Sequence, residues 1–134
     1  MTTPHTTTPH TGTPQNVVNW FEVATDDPDT ATSFYSTVFG WTFVPFGDPD
    51  VADYRVAMQP GGDMPFGGVA GTGGAMPSHA IFYVQVPDVA AACEQIERHG
   101  GKVVEQQLAP AAGPAFAYVH DPVGSLFGVY TPPA

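Results

Sequence analysis

The strongest constraint on this chain is that it says the same thing twice. DPDTATSFYSTVFG and DVAAACEQIERHG each open on an aspartate placed to cap a helix and each close on a glycine. Asp27 is followed by Pro28, whose fixed φ suits the first helical position, and Gly40 fits the left-handed stop. Asp88 and Gly100 play the same parts 61 residues after Asp27 and 60 after Gly40. The segments around each helix repeat as well. NVVNWFEVAT precedes the first and SHAIFYVQV the second, both alternating as strands do, with Val17, Phe21 and Val23 in one register and Phe82, Val84 and Val86 in the other. WTFVPF, DYRVAMQ and a weaker FGGVAG follow the first helix; KVVEQQL, PAFAYVH and SLFGVY follow the second. A βαβββ unit written twice predicts an α+β fold of two related modules. Phe34 and Val38 are expected on the buried face of the first helix. Cys93 shares a face of the second with Val89 and Ile96, and reads as core filler.

Length and composition fit one domain. The 134 residues are 43% apolar, enough for a single core. Residues 1–15, a loose threonine, proline and histidine repeat, have nothing to bury and read as a disordered tail. The domain is expected over 16–131, with module one at 16–71 and module two at 78–131, and the glycines of GGVAGTGGAMP read as the link between them. A formal charge of −10, with Arg55, Arg98 and Lys102 the only basic residues besides histidine, argues against nucleic acid or an anionic membrane as partner. No apolar run is long enough to span a bilayer, and no signal-like segment opens the sequence. One cysteine allows no internal disulfide and suits a reducing, cytoplasmic setting.

The pairing of WFEVATDDPDTATSFYSTVFGW with HAIFYVQVPDVAAACEQIERHGGKVV, closed by HDPVGSLFGVY, resembles the vicinal oxygen chelate superfamily. That group includes glyoxalase I, the bleomycin-resistance proteins and the extradiol dioxygenases, and the resemblance covers about residues 16 to 131. It implies two βαβββ modules forming a curled mixed sheet around a concave cavity, and a homodimer. In metal-binding members four side chains hold the ion, one from the first and one from the last strand of each module. Counted by that resemblance, the positions fall on Trp20, on Ile81, on Gly128 and within Phe66-Gly67-Gly68. None offers the nitrogen or oxygen donor a metal wants. The expectation is a site with no metal and no cofactor.

Alternation places Val18, Trp20, Glu22 and Ala24 on the concave face, with His79, Ile81, Tyr83 and Gln85 from module two and Leu126, Gly128 and Tyr130 from the last strand. Trp20, Ile81, Tyr83, Gln85, Leu126, Gly128 and Tyr130 are the candidate ligand contacts, an apolar and aromatic set with few polar groups. Gly128 is expected to leave room for a flat ligand beside the Trp20 indole. Glu22 reads either as a carboxylate at the solvated mouth or as a desolvated general acid or base. His79 is a second candidate for acid–base work, or a surface residue near the strand start. His120 stands where it can hydrogen-bond the DP-x-G turn. Arg55 either pairs with an acidic neighbour or meets an anionic ligand.

Two functions follow as expectations. One is a metal-free binding protein of the bleomycin-resistance type that holds a hydrophobic or aromatic natural product. The other is a metal-free isomerase, cyclase or lyase of small-molecule metabolism that uses Glu22, assisted by Tyr83, Gln85 or His79.

Overall fold

The computed structural model describes residues 14–48, 50, 52–108 and 113–133. The expected disordered tail, apart from Pro14 and Gln15, lies outside the described residues. Both modules follow the predicted plan. Module one runs β1 (Val17–Thr25), α1 (Pro28–Phe39), β2 (Thr42–Pro45), β3 (Tyr54–Met58) and β4 (Pro65–Gly71). Module two runs β5 (His79–Gln85), α2 (Val89–Arg98), β6 (Lys102–Gln107), β7 (Ala115–His120) and β8 (Leu126–Thr131).

The caps act as the sequence predicts. The Asp27 carboxylate accepts from Thr30 N–H, Pro28 opens α1, and Gly40 ends it at φ 75°. Asp88 accepts from Ala91 N–H at the start of α2. That helix ends one turn-corner earlier than its glycine: His99 is the C-cap, and Gly100 follows at φ 97°.

All eight strands lie in one sheet, ordered β2-β3-β4-β1-β5-β8-β7-β6. β1 and β5 pair antiparallel at its centre, with Phe21 opposite Phe82. β4 flanks β1 in parallel and β8 flanks β5 in parallel, so each half mirrors the other's pairing. The sheet is curled and open. The curl is deep enough that a Cβ on Gly113, just before β7, would lie 3.6 Å from the Phe46 ring that follows β2. Two loops from opposite ends of the strand order meet there.

The convex face carries the helices. α2 buries Val89 and Cys93 against Val86, Ala117, Val119 and Val129, the core of module two. α1 buries no residue at all. Phe34 and Val38, expected to face inward, are 56% and 54% exposed. The helix is turned instead by Tyr35, which stacks on Trp41 at 5.1 Å, and Trp41 in turn packs on Phe21 and Phe66. Beyond that contact α1 stands off the edge hairpin, leaving a cleft of about 650 Å³ between itself and β2–β3. Arg55 lies on this cleft and is paired: it reaches Asp29 at 2.9 Å and Asp53 at 3.0 Å. The link between the modules is shorter than the run of glycines suggests, because Gly67 and Gly68 lie inside β4 and are buried.

Candidate site on the concave face

Residues paired directly across strands project to the same side of a sheet. The central register sets Trp20 beside Tyr83, Glu22 beside Ile81 and Ala24 beside His79. The parallel neighbours add Gly68 next to Glu22, Gly128 next to Tyr83, and Tyr130 next to Gln85. β7 places Tyr118 opposite Gly128, Phe116 opposite Tyr130 and His120 opposite Leu126. One face therefore collects Trp20, Glu22, His79, Ile81, Tyr83, Gln85, Leu126, Gly128 and Tyr130. Val18 is the exception among the residues expected there. A bulge between Val18 and Trp20 shifts the register by one, so that Val18 pairs with Val84 and sits 58% exposed. A one-residue slip moves a side chain to the other face, and the bulge confines that slip to the start of β1.

Glu22 is the centre of this face. It is 4% exposed, and its carboxylate accepts three hydrogen bonds. The Tyr118 hydroxyl donates to Oε2 at 2.6 Å, His79 Nε2 meets the same oxygen at 3.1 Å, and the Tyr83 hydroxyl donates to Oε1 at 3.2 Å. All three partners come from module two. Among the described residues no lysine or arginine pairs with Glu22. The reading of Glu22 as a solvated mouth residue is thus replaced by a buried acid that accepts from protein donors. Burial first, and the Glu22 charge second, push the Tyr83 and Tyr118 hydroxyls well above the usual phenol range, and the same two causes raise Tyr54. The phenols stay protonated, and those of Tyr83 and Tyr118 keep donating to Glu22.

A second polar group lies one step along β1 and β5. Asn19, the residue within the bulge, donates from Nδ2 to Gln85 Oε1 at 2.8 Å and accepts the Tyr130 hydroxyl at 2.6 Å. Gln85 is 4% exposed. Between the two groups stands Trp20, half-buried, whose indole N–H donates to the Tyr54 hydroxyl at 3.0 Å.

Gly128 makes room for a neighbour rather than for a ligand beside Trp20. A Cβ there would collide with the ring of Tyr83, and a Cβ on Gly68 would collide with the ring of Tyr54. Both glycines let a tyrosine lie flat across its own sheet. His120, expected at the turn, does not hold it. The Asp121 carboxylate does, accepting the N–H groups of Val123 and Ser125 at 3.1 and 2.9 Å.

The residues at the four superfamily metal positions do not fit an ion. An indole, an isoleucine and glycines supply no donor, and the spaces beside Gly68 and Gly128 are filled by phenol rings. The nearest donors, Glu22 and His79, bond to each other, and among the described residues no three His, Cys, Asp or Glu side chains cluster.

Three site residues escape a reading of the sequence. Tyr118 was within reach: carrying the register through the DP-x-G turn sets it opposite Gly128. Tyr54 follows from alternation in DYRVAMQ. Asn19 has no sequence signal, because strict alternation points it away and only the bulge brings it round.

Comparison with known proteins agrees with this architecture. The model of the Glyoxalase/Bleomycin resistance protein/Dioxygenase superfamily matches residues 17–129. A glyoxylase-like domain-containing protein of Didymella fabae is 31% identical over 121 residues, covering 87% of this chain and 94% of that protein. A putative glyoxylase, CFP32, of Mycobacterium tuberculosis is 33% identical over 115 residues, covering 84% of this chain and 43% of its own length. The anthracycline biosynthesis protein DnrV of Streptomyces peucetius is 26% identical over 124 residues, covering 83% and 45%. The chain therefore spans less than half the length of these last two relatives. Among solved structures, a methylmalonyl-CoA epimerase of Streptomyces coelicolor superposes with a TM-score of 0.66 at 14% identity, covering 90% of this chain and all of that one. The corresponding epimerase of Mycobacterium tuberculosis gives 0.62 at 17%, covering 93% and 95%. At such identities the likeness is one of fold.

Proposed function

We propose that this chain, which belongs to the Glyoxalase/Bleomycin resistance protein/Dioxygenase superfamily, is a metal-independent small-molecule protein that holds a flat apolar or aromatic compound against its concave face. The observation that carries this reading is the ring-lined wall around Glu22. Trp20, Tyr54, Phe116, Tyr118 and Tyr130 are each only half-buried, while the floor they surround, Glu22 and Tyr83, is closed at 4% and 5% exposure. Half-exposed rings over a closed floor suit stacking and edge contacts with a planar ligand. Two curated relatives bear the name anthracycline biosynthesis protein, and anthracyclines are flat polycyclic compounds of the kind such a wall would take. The test is ligand binding followed by isothermal titration calorimetry. Trp20→Ala is expected to weaken a polycyclic ligand by about 2 kcal/mol, the loss of an aromatic anchor. Unchanged affinity would remove the concave face from consideration.

A second reading has its own observation. A carboxylate buried without a cation, and touched by an imidazole, is costly to keep unless it is used. On that reading the chain is a metal-independent isomerase, cyclase or lyase in which Glu22 and His79 move a proton and Tyr83 or Tyr118 donates to a developing oxyanion. Glu22→Gln then abolishes turnover while leaving ligand affinity intact. If affinity and fold survive and no turnover exists to lose, binding alone remains.

The chain is further proposed to pair as a homodimer. Relatives of about twice its length, and the exposed apolar side chains Phe34, Val38 and Phe82, are consistent with a second copy covering what one copy leaves open. Sedimentation at micromolar concentration decides it, and a monomer throughout would count against it.

A further inference from the structure

The cleft between α1 and β2–β3 lies where module two keeps its core. Thr32 and Cys93 each stand five residues past the aspartate that caps their helix. Arg55 pairs with Val69 as Ala117 pairs with Val129, one residue beyond the matching glycines Gly68 and Gly128. In module two Cys93 and Ala117 belong to one buried core, at 5% and 0% exposure. In module one a threonine and an arginine hold those places. Arg55 Nη1 donates to Thr32 Oγ1 at 3.3 Å, and a space of about 650 Å³ opens beside them. That volume is ordinary for a small-molecule cleft. A fold that needed only to seat α1 would use apolar side chains here, as α2 does.

The way the guanidinium is partnered is a second, independent observation. Asp53 takes its side: Nε donates to Oδ1 at 3.0 Å and Nη2 to Oδ2 at 3.1 Å. This bidentate pair is the durable one. The other edge, formed by Nη1 and Nη2, meets Thr32 and Asp29, with Nη2 2.9 Å from Asp29 Oδ1. The Arg55 side chain is 24% exposed, but that of Asp29 is 88% exposed. An ion pair with so exposed a partner contributes little, and Asp29 is easily displaced. The wall beside Arg55 is apolar: Pro45 lies directly opposite it on β2, and Phe43 lines the same cleft.

We propose that this cleft is a second binding site, for a monocarboxylic acid with an apolar body. The acid's carboxylate replaces Asp29 on the Nη1–Nη2 edge of Arg55, and its body lies along Phe43 and Pro45. The planar guanidinium fork matches a carboxylate in shape as well as charge. Asp29 keeps the ligand's place in the empty cleft, and on displacement it moves into solvent that it already faces. Carboxylate replaces carboxylate at Arg55, so the chain charge of −10 opposes binding only at longer range, where physiological salt screens it. Arg55 projects to the side of the sheet opposite Tyr54, so this site is distinct from the concave face and goes beyond the function proposed for it.

A matched pair of probes tests it. 3-Phenylpropionate and 3-phenylpropan-1-ol share a body and differ in the charged end. By calorimetry at physiological salt, the acid is expected to bind about tenfold more tightly than the alcohol. Asp29→Asn, which removes the resident carboxylate, should tighten the acid about threefold and leave the alcohol as it is. Arg55→Gln should bring the two affinities together. In the unsubstituted protein the Arg55 Nε–H resonance should shift with the acid and stay put with the alcohol, a measurement that needs no variant to fold. Equal affinities, an unmoved Arg55 resonance, an Asp29→Asn protein that binds the acid no more tightly, or a preference that survives Arg55→Gln would each overturn the proposal. So would loss of the acid on Trp20→Ala, which would place it on the concave face instead and leave that reading standing.

Discussion

Module one and module two repeat one order of elements and put it to different uses. α2 is sunk into its sheet through Val89 and Cys93, over a core that includes Ala117 and Val119 at 0% exposure. α1 buries no residue, rests on its sheet through Tyr35 and Trp41, and stands off β2–β3. Equivalent positions on the concave face have diverged as well. The register that sets Phe21 opposite Phe82 makes Glu22 of module one the counterpart of Tyr83 in module two, and Gly68 the counterpart of Gly128. One module supplies the acid, and the other supplies every group that solvates it. The candidate site is therefore a seam, complete only when both halves are folded together.

The seam's weakness should show first at alkaline pH. Tyr83, Tyr118 and Tyr54 are raised above the ordinary value of 10.0, by burial and then by Glu22. Above pH 10 the unfolded chain loses phenol protons that the folded chain keeps. The stability these groups contribute is full below that pH and is lost as pH rises. Each adds a slope of up to about 1.4 kcal/mol per pH unit. Urea unfolding between pH 8 and 11.5, with tyrosinate absorbance followed alongside, should show tyrosinate appearing with unfolding. Tyr118→Phe should flatten the slope. Tyrosinate that forms freely in the folded protein near pH 10 would mean that the seam is not closed.

Next in size is the acid itself. Glu22→Ala strands three buried or half-buried donors, and about 3 kcal/mol of stability should go with it. Because the donors all belong to module two, both halves should loosen, which hydrogen exchange in β1 and β7 would register. Loosening confined to β1 would show that the modules are held together elsewhere. The glycine pair follows. Gly128→Ala and Gly68→Ala each drive a methyl into a tyrosine ring, for about 2 kcal/mol. Gly128→Ala should be the worse of the two, since Tyr83 is 5% exposed and held by Glu22, whereas Tyr54 is only half-buried. The reverse order would place the tighter half of the seam in module one.

The plan of elements was readable because it is local. Asp27, Pro28 and Gly40 act within a few residues of themselves, and alternation in FEVAT and IFYVQ by itself sorts the side chains onto two faces. What did not read through was set by distant contacts. Nothing local to SFYSTVF reveals that Trp41, two residues past the helix, turns Tyr35 inward and leaves Phe34 and Val38 outside. A glycine in the middle of SLFGVY marks a close approach, but the sequence does not say that the approaching group is the Tyr83 ring and not a ligand. The Tyr83 ring is fixed by the parallel pairing of β5 with β8, between residues 45 apart in the sequence. The bulge at Asn19 is a compromise between β1 and β5 that neither strand records alone.

The smallest effects test the helices, and their contrast decides whether the two modules differ in stability as they do in packing. Val89→Ala removes two methyl groups from a site 3% exposed, surrounded by side chains that cannot collapse without moving α2, and should cost about 1.5 kcal/mol. Phe34→Ala removes a far larger side chain, but one 56% exposed and resting edge-on against Tyr35 at 5.4 Å, and should change stability by no more than about 0.5 kcal/mol in dilute solution. If burial governs, the smaller truncation is the costlier, and chemical denaturation of the two variants at low protein concentration reads it directly. A Phe34→Ala loss that appears only as concentration rises would have another origin. The ring would then be covered by a second copy, and the loose packing of α1 would belong to the isolated chain alone.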